Sequence, residues 1–510
     1  MRKLRLSLSC LGVLALTVSA CGRGDDSGSD TTAPAATAAP TTAAATPETT
    51  AAESPATTAG ESPATTAGEA PTTTAAAPGS DTLMALTADD IAAQCASEPL
   101  EATEIGVTAD KITIEVMADV GSPLAPGLFQ GNFDAIKGFA DYINANGGVG
   151  CRQLEVKTWD SKLDANESKN GLIDACQSAL AMVGNNALFN PDMTPLTGCA
   201  DKAGAPTGVP DMAALANDVT ELCGATTFTI QFRSEECPVN IGQPRNFTVQ
   251  VGAAGYLAEQ HGEPLHGLFL VPGDLPTTRQ SAIPNIEGQK LDGITFDAAK
   301  LVSGRSEQAA YTPLVQLLKA NNGNYVYNGS NDATMLKMQK EAQAQGIDPS
   351  SVVWTCSLAC YTKNFQENGG AASDGTYVWM QFLPFEEADT NAALQSYIDS
   401  VGTPDSFGAQ AWQAAIAFQT AVNQIVADQG PNAITRASLI EAFDAIENFS
   451  ADGWAGARDL RGISACYVLM QLQGSDFVRV WPEERGTMDC DEGNLVPITV
   501  EPVAAAEALD

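Results

Sequence analysis

The chain has 510 residues, with 26 Lys plus Arg against 62 Asp plus Glu and a formal charge of −36. So few cations cannot build the basic face that nucleic acid or an anionic lipid surface requires, and neither is expected as a partner. Hydrophobic residues make up 44%, enough for a globular core, and the length allows two or three domains.

Residues 1–20 read as a secretory signal. Arg2, Lys3 and Arg5 precede an apolar run over 6–18, too short for a stable membrane span. Val18-Ser19-Ala20-Cys21 resembles a bacterial lipobox, in which the cysteine thiol is acylated and becomes the new N-terminus. The alternative is a plain signal peptide cleaved near Ala20. The expected lipidation site is Cys21, and acyl chains there are the expected membrane attachment. Residues 21–80 read as a disordered Thr/Ala/Pro-rich tether. The unit Glu53-Ser54-Pro55-Ala56-Thr57-Thr58-Ala59-Gly60 recurs over 61–68 without one large apolar side chain. Such a repeat buries nothing and stays extended and solvated. Residues 81–105 read as a linker with a short helix.

Beyond the signal and Cys21, the cysteines are Cys95, Cys151, Cys176, Cys199, Cys223, Cys237, Cys356, Cys360, Cys466 and Cys490. An even number in an exported chain predicts disulfides, and pairing of sequence neighbours is the simplest arrangement. Cys356 and Cys360 could form half of a zinc site. The second half is missing and the histidines are only His261 and His266, so no metal is expected.

From residue 106 the texture becomes globular. Residues 112–117 and 154–160 predict strands, and 132–146 and 166–178 predict helices, the first ended by Asn146-Gly147-Gly148. A third strand is predicted over 180–184. Further strands are predicted over 267–271, 293–296, 325–328 and 352–355, with helices over 311–321 and 333–345 between them. Strand and helix alternate, which implies parallel sheets with helices on both faces. A long helix is predicted over 409–428, with Ala411, Ala415, Phe418, Val422 and Ile425 on one stripe, and another over 436–447. A hairpin of 466–470 and 477–481 follows. The expected segments are 106–250 and 381–447 for a first lobe, and 251–380 and 448–510 for a second.

Signals for catalysis are weak. The chain has neither G-x-S-x-G nor a phosphate loop, and Gly148-Val149-Gly150 lacks the third glycine of a dinucleotide fingerprint. His261 and His266 read as solvated residues of a surface loop. Carboxylate pairs such as Glu386-Glu387 are expected by chance in so acidic a chain. No cofactor and no catalytic residue is expected.

Over 106–210 the chain resembles the branched-chain amino-acid-binding proteins, the type I periplasmic solute-binding proteins of ABC importers. The matching text is Gly106-Val107-Thr108-Ala109-Asp110-Lys111-Ile112-Thr113-Ile114, Gly121-Ser122-Pro123-Leu124-Ala125-Pro126-Gly127 and Asp141-Tyr142-Ile143-Asn144-Ala145-Asn146-Gly147-Gly148-Val149. Looser likeness extends to about residue 497. The resemblance implies an α/β fold of two Rossmann-like lobes with parallel sheets, joined by a three-strand hinge, with the ligand between them. Carried onto this chain, the family's ligand loops fall on Ser122, Pro123, Asn185, Asn186, Ala187, Phe189, Asp211 and Met212 in the first lobe. In the second they fall on Pro276, Thr277, Asn328, Gly329, Ser330, Ser357 and Tyr361. Residues 355–360 hold no acid where the family's ammonium partner falls, and Asn185-Asn186 replace its hydroxyl-rich turn. Both departures weigh against a free amino acid as ligand. The implied function is a monomeric, lipid-anchored protein that captures a small molecule, an amino acid or related compound, and delivers it to an ABC permease. The alternatives are a ligand-sensing ectodomain working with a separate signalling protein, and a cell-surface enzyme using cleft carboxylates.

Overall fold

Short β-branched runs become parallel strands wherever both faces can be covered by helices. The computed structural model describes residues 93, 95–122, 126–240, 242–274 and 276–501, all within the unit Ala75–Asp510. The signal, Cys21, the tether repeats and Pro123 lie outside the described residues. Among those described, no helix is long and apolar enough to cross a membrane.

The first lobe runs β1 (Lys111–Ala118), α1 (Gln130–Ala145), β2 (Gln153–Asp160), α2 (Ala165–Ser178), β3 (Ala181–Val183), α3 (Thr194–Thr197), β4 (Asp211–Ala213), α4 (Val219–Leu222) and β5 (Thr227–Thr229). Its sheet is wholly parallel in the order β2-β1-β3-β4-β5. Strand β1 is buried along almost its whole length, whereas in the edge strand β2 only Leu154 is fully covered. The α2 N-terminus is capped by Asp164, whose carboxylate accepts from Asn166 N and Glu167 N. Helix α1 stops where Gly147 and Gly148 take φ of 106° and 84°, which a glycine adopts without strain.

The second lobe follows β6 (Arg245–Gln250) with α5 (Gly252–His261), β7 (His266–Pro272), α6 (Pro276–Leu291), β8 (Thr295–Val302), α7 (Thr312–Ala320), β9 (Tyr325–Asn328), α8 (Asp332–Ala344), β10 (Val353–Cys356), α9 (Lys363–Asn368) and β11 (Tyr377–Met380). Its parallel part repeats the strand order of the first lobe, β8-β7-β9-β10-β11. The chain then makes α10 (Ala392–Ser400), α11 (Ser406–Gln429) and α12 (Arg436–Asp444), and ends in β12 (Val468–Gln473), β13 (Asp476–Trp481) and β14 (Leu495–Val500). Strands β12 and β13 extend the second sheet antiparallel, and β14 pairs with β6.

Helix α11 belongs to the first lobe. It packs on α1, where Trp412 meets Phe139 edge-to-face at 5.1 Å, and on β3 and β4. Its alanines allow burial far beyond the single stripe expected from sequence. Arg436, fully buried in α12, donates to Cys176 O at 2.8 Å and Ala179 O at 2.6 Å. Those carbonyls end α2, where a cation is favoured by the helix dipole.

The chain therefore passes between lobes three times: from β5 to β7, from β11 to α10, and from α12 to β12. The passages are bound to one another by Thr229 N to Leu460 O at 3.0 Å, Arg233 N to Gly462 O at 3.1 Å and Leu383 N to Trp454 O at 2.9 Å. Cysteines pair in sequence order, as Cys95–Cys151, Cys176–Cys199, Cys223–Cys237, Cys356–Cys360 and Cys466–Cys490.

Two expectations need correction. His261 and His266 are not in one loop: His261 ends α5, and His266 opens β7 with Nδ1 3.0 Å from Asp297 Oδ2. The strand expected over 293–296 is instead Thr295–Val302. Its residues Asp297, Ala298, Ala299 and Lys300 carry no β-branched signal.

Glu115, on β1, is fully buried with Lys157 Nζ 3.4 Å away. Burial, aided by neighbouring Asp174, pushes its carboxyl up to about 8 from 4.5. A raised folded value makes its stabilising contribution complete below the unfolded value, and that contribution is lost as pH rises through about 8. Glu115→Gln is expected to flatten the fall in unfolding temperature between pH 6 and pH 9, read by circular dichroism melts.

Candidate functional site

In an open parallel sheet the helices cover the faces, so the free crevice lies beyond the carboxyl ends of the strands, where the strand order reverses. Both sheets here turn those ends toward one cleft of about 970 Å³. On the first lobe the lining comes from residues 127–131 after β1, Leu163 after β2, Leu188 after β3, Leu215 after β4 and Phe232 after β5. On the second it comes from Asp274, Arg305, residues 329–332, Ser357 and Gln381, each following one of the parallel strands. The N-terminal turn of α11 supplies Ser406 and Phe407.

Polar groups in and behind the lining hold it in place. Asp119, fully buried, accepts from Ser161 Oγ at 2.7 Å, Leu163 N at 2.6 Å and Leu188 N at 2.8 Å. Burial raises its pKa, and these three donors oppose the rise. One carboxylate thus sets two cleft-lining leucines on different loops. Asp405 caps α11, accepting from Phe407 N and Gly408 N at 2.9 Å each. Burial raises its pKa too, again opposed by the backbone donors.

Aromatic rings face the cleft from both sides. Phe129 and Phe407 meet edge-to-face at 4.9 Å on the first lobe. Phe269 and Tyr327 stack at 4.7 Å on the second, and Trp379 Nε1 donates to Tyr327 Oη at 3.1 Å. Burial pushes the Tyr327 phenol up to about 12, so it stays neutral.

Of the residues expected to touch ligand, Gly329, Ser330 and Ser357 line the cleft. The Cys356–Cys360 disulfide closes the short loop that carries Ser357. Asn185 and Asp211 are buried and bonded to each other, Nδ2 to Oδ1 at 2.7 Å, while Asn185 Oδ1 accepts from Met117 N at 2.7 Å. They tie β1, β3 and β4 together rather than facing solute. Ser122, Asn186, Ala187 and Met212 are also buried outside the lining, and Phe189 is half-buried outside it. Thr277 Oγ1 donates to Leu188 O at 3.2 Å, a bond from one lobe to the other. Pro276 opens α6 beside it. Asn328 is buried and donates to Asn331 O at 2.9 Å. Tyr361 is buried, donates to the Glu386 carboxylate and accepts from Phe385 N at 2.8 Å. Sequence reasoning missed Phe129, Trp379, Phe407, Asp119 and Asp405. A cap before a helix is the one local signal for Asp405.

A family model described as periplasmic binding protein matches residues 111–476. No curated protein sequence matches the chain. Among solved structures, an extracellular ligand-binding receptor from Verminephrobacter eiseniae aligns with TM-score 0.57 at 12% identity, over 72% of this chain and 99% of that one. A solute-binding protein of an ABC transporter from Rhodopseudomonas palustris, in complex with benzoate, gives 0.55 at 15% identity over 74% and 98%. A leucine-binding protein from Thermotoga maritima gives 0.53 at 13% identity over 72% and 97%. Such identities show a shared fold.

Asp405→Ala removes the α11 cap and is expected to lower the unfolding free energy by about 1–2 kcal/mol. Asp405→Asn keeps an acceptor and is expected to lose less. Urea denaturation of both variants checks the ordering.

Proposed function

The chain belongs to the periplasmic binding protein family, and on that premise we propose that it is an extracytoplasmic, lipid-anchored solute-binding protein that captures a small molecule between its lobes and delivers it to an ABC importer. The observation that carries this reading is the convergence of both parallel sheets on a single large cleft. A cleft divided between two lobes closes by rotation about the passages that join them. Ligand favours closure because only the closed form contacts it from both sides. The hydrogen bond from Thr277 to Leu188 already spans the lobes and would be kept or broken by that motion. No bond in the ligand is made or cleaved. Anchoring rests on Val18-Ser19-Ala20-Cys21, followed by a tether long enough to let a captive globule reach a permease.

Protein isolated from its native host is expected to carry a solute that unfolding releases unchanged in mass. Adding that solute back at a hundred times its dissociation constant should stabilise the chain by about 2.7 kcal/mol. Recovery of a chemically altered product would overturn the non-enzymatic reading. Cys21→Ser is expected to move the protein from the membrane fraction to the soluble fraction, and deleting the gene should abolish uptake of the captured solute.

A further inference from the structure

Helices α1, α8 and α11 begin at the cleft. A helix N-terminus ordinarily offers free N–H groups and the positive end of its dipole to an anion. At α8 and α11 the chain's own side chains have taken some of these places. Asp405 caps α11 and also lies against the first turn of α1, where a Cβ on Gly131 would fall 1.6 Å from its Oδ2. At α8, Asn331 accepts from Thr334 N at 3.0 Å and Asp332 from Ala333 N at 2.6 Å. The indole N–H of Trp379 is engaged by Tyr327. First-turn donors of α8 and α11 that could hold a carboxylate or phosphate are therefore engaged by the chain itself.

The remaining lining points the other way. Among the described lining residues the charged side chains are Asp134, Asp274, Asp332 and Asp405 against Arg305. Asp274 is fixed by Ser303 Oγ at 2.6 Å and Gly304 N at 3.0 Å, and Asp332 by Thr362 Oγ1 at 2.7 Å and Asn364 Nδ2 at 2.9 Å. Aromatic rings from both lobes line the same space, and their faces attract cations and disfavour anions. The net charge of −36 repels anions before they arrive and draws cations in.

We infer that the ligand is an organic cation with an apolar body: a protonated amine or quaternary ammonium carried on a hydrocarbon or aromatic frame. The charge is set by the fixed aspartates and the capped helix ends, and the apolar body by the rings and the leucines. This inference rests on the solute-binding reading and adds the chemical class of the solute.

The test is isothermal titration of the full chain, freed of any carried solute by unfolding and refolding, with phenethylammonium, 3-phenylpropionate and acetylcholine. The first two share a ring and linker and differ in the sign of the charged end. Phenethylammonium or acetylcholine is expected to bind at least about tenfold tighter than 3-phenylpropionate. Asp332→Asn and Asp274→Asn are each expected to weaken the cation several-fold without weakening the acid, with melting curves confirming that both variants fold. Tighter binding of the acid would overturn the assignment of charge and leave solute capture standing. Binding of none of the three would overturn the inference as well, and a neutral or anionic solute recovered from the native protein would then show that capture itself survives.

Discussion

The hydrogen bonds among the three interlobe passages are the constraint on which the rest of the molecule depends. The third passage lies between the other two, bonded through Leu460 and Gly462 to the first and through Trp454 to the second. Buried Arg458 reinforces this by donating to Thr229 O at 3.1 Å and to Ile230 O. Each lobe is thereby completed by chain that has already visited the other. In chain order, helix α11 completes the first lobe after the parallel strands of the second sheet, and β12 and β13 extend that sheet after the return. The lobes are linked by backbone bonds that permit bending and resist separation.

An acidic chain must place its few cations where they matter. Arg152, Arg436 and Arg458 are all buried and donate mainly to backbone carbonyls. Arg152 reaches Thr108 O at 2.7 Å and Pro431 O at 2.9 Å, joining the start of the first lobe to its return. A guanidinium suits this task because it presents several donors in a rigid plane. Carboxylates do the complementary work at the cleft. Asp119 fixes two loops and Asp405 the start of α11, so the walls of the site are set by groups behind or beside the solute space.

Much of the fold was legible in sequence. Strand and helix alternation gave the parallel sheets because period and turn signals are local. Tyr325–Asn328 was located residue for residue, and α1, α2 and α12 nearly so. Strands β4 and β5, at three residues each, were missed, whereas the equally short β3 stands out as the apolar run Leu180-Ala181-Met182-Val183. The site was less legible. Gly329, Ser330 and Ser357 were found because they follow strands in the loops such folds use. Asn185 and Asp211 also follow or open short strands, yet their side chains satisfy one another and a buried N–H, which no linear pattern announces.

Composition, the cysteine count and the succession of elements are decided by the chain alone, because each rests on residue type or on spacing along the sequence. The tertiary structure decided which loops meet, which aspartates cap helix ends, and which aromatic rings line the cleft. Phe129 and Phe407 are separated by most of the globular chain, as are Asp405 and Gly131. Their meeting is a consequence of the return of α11 to the first lobe, and the side-chain geometry of that return has no counterpart in local periodicity.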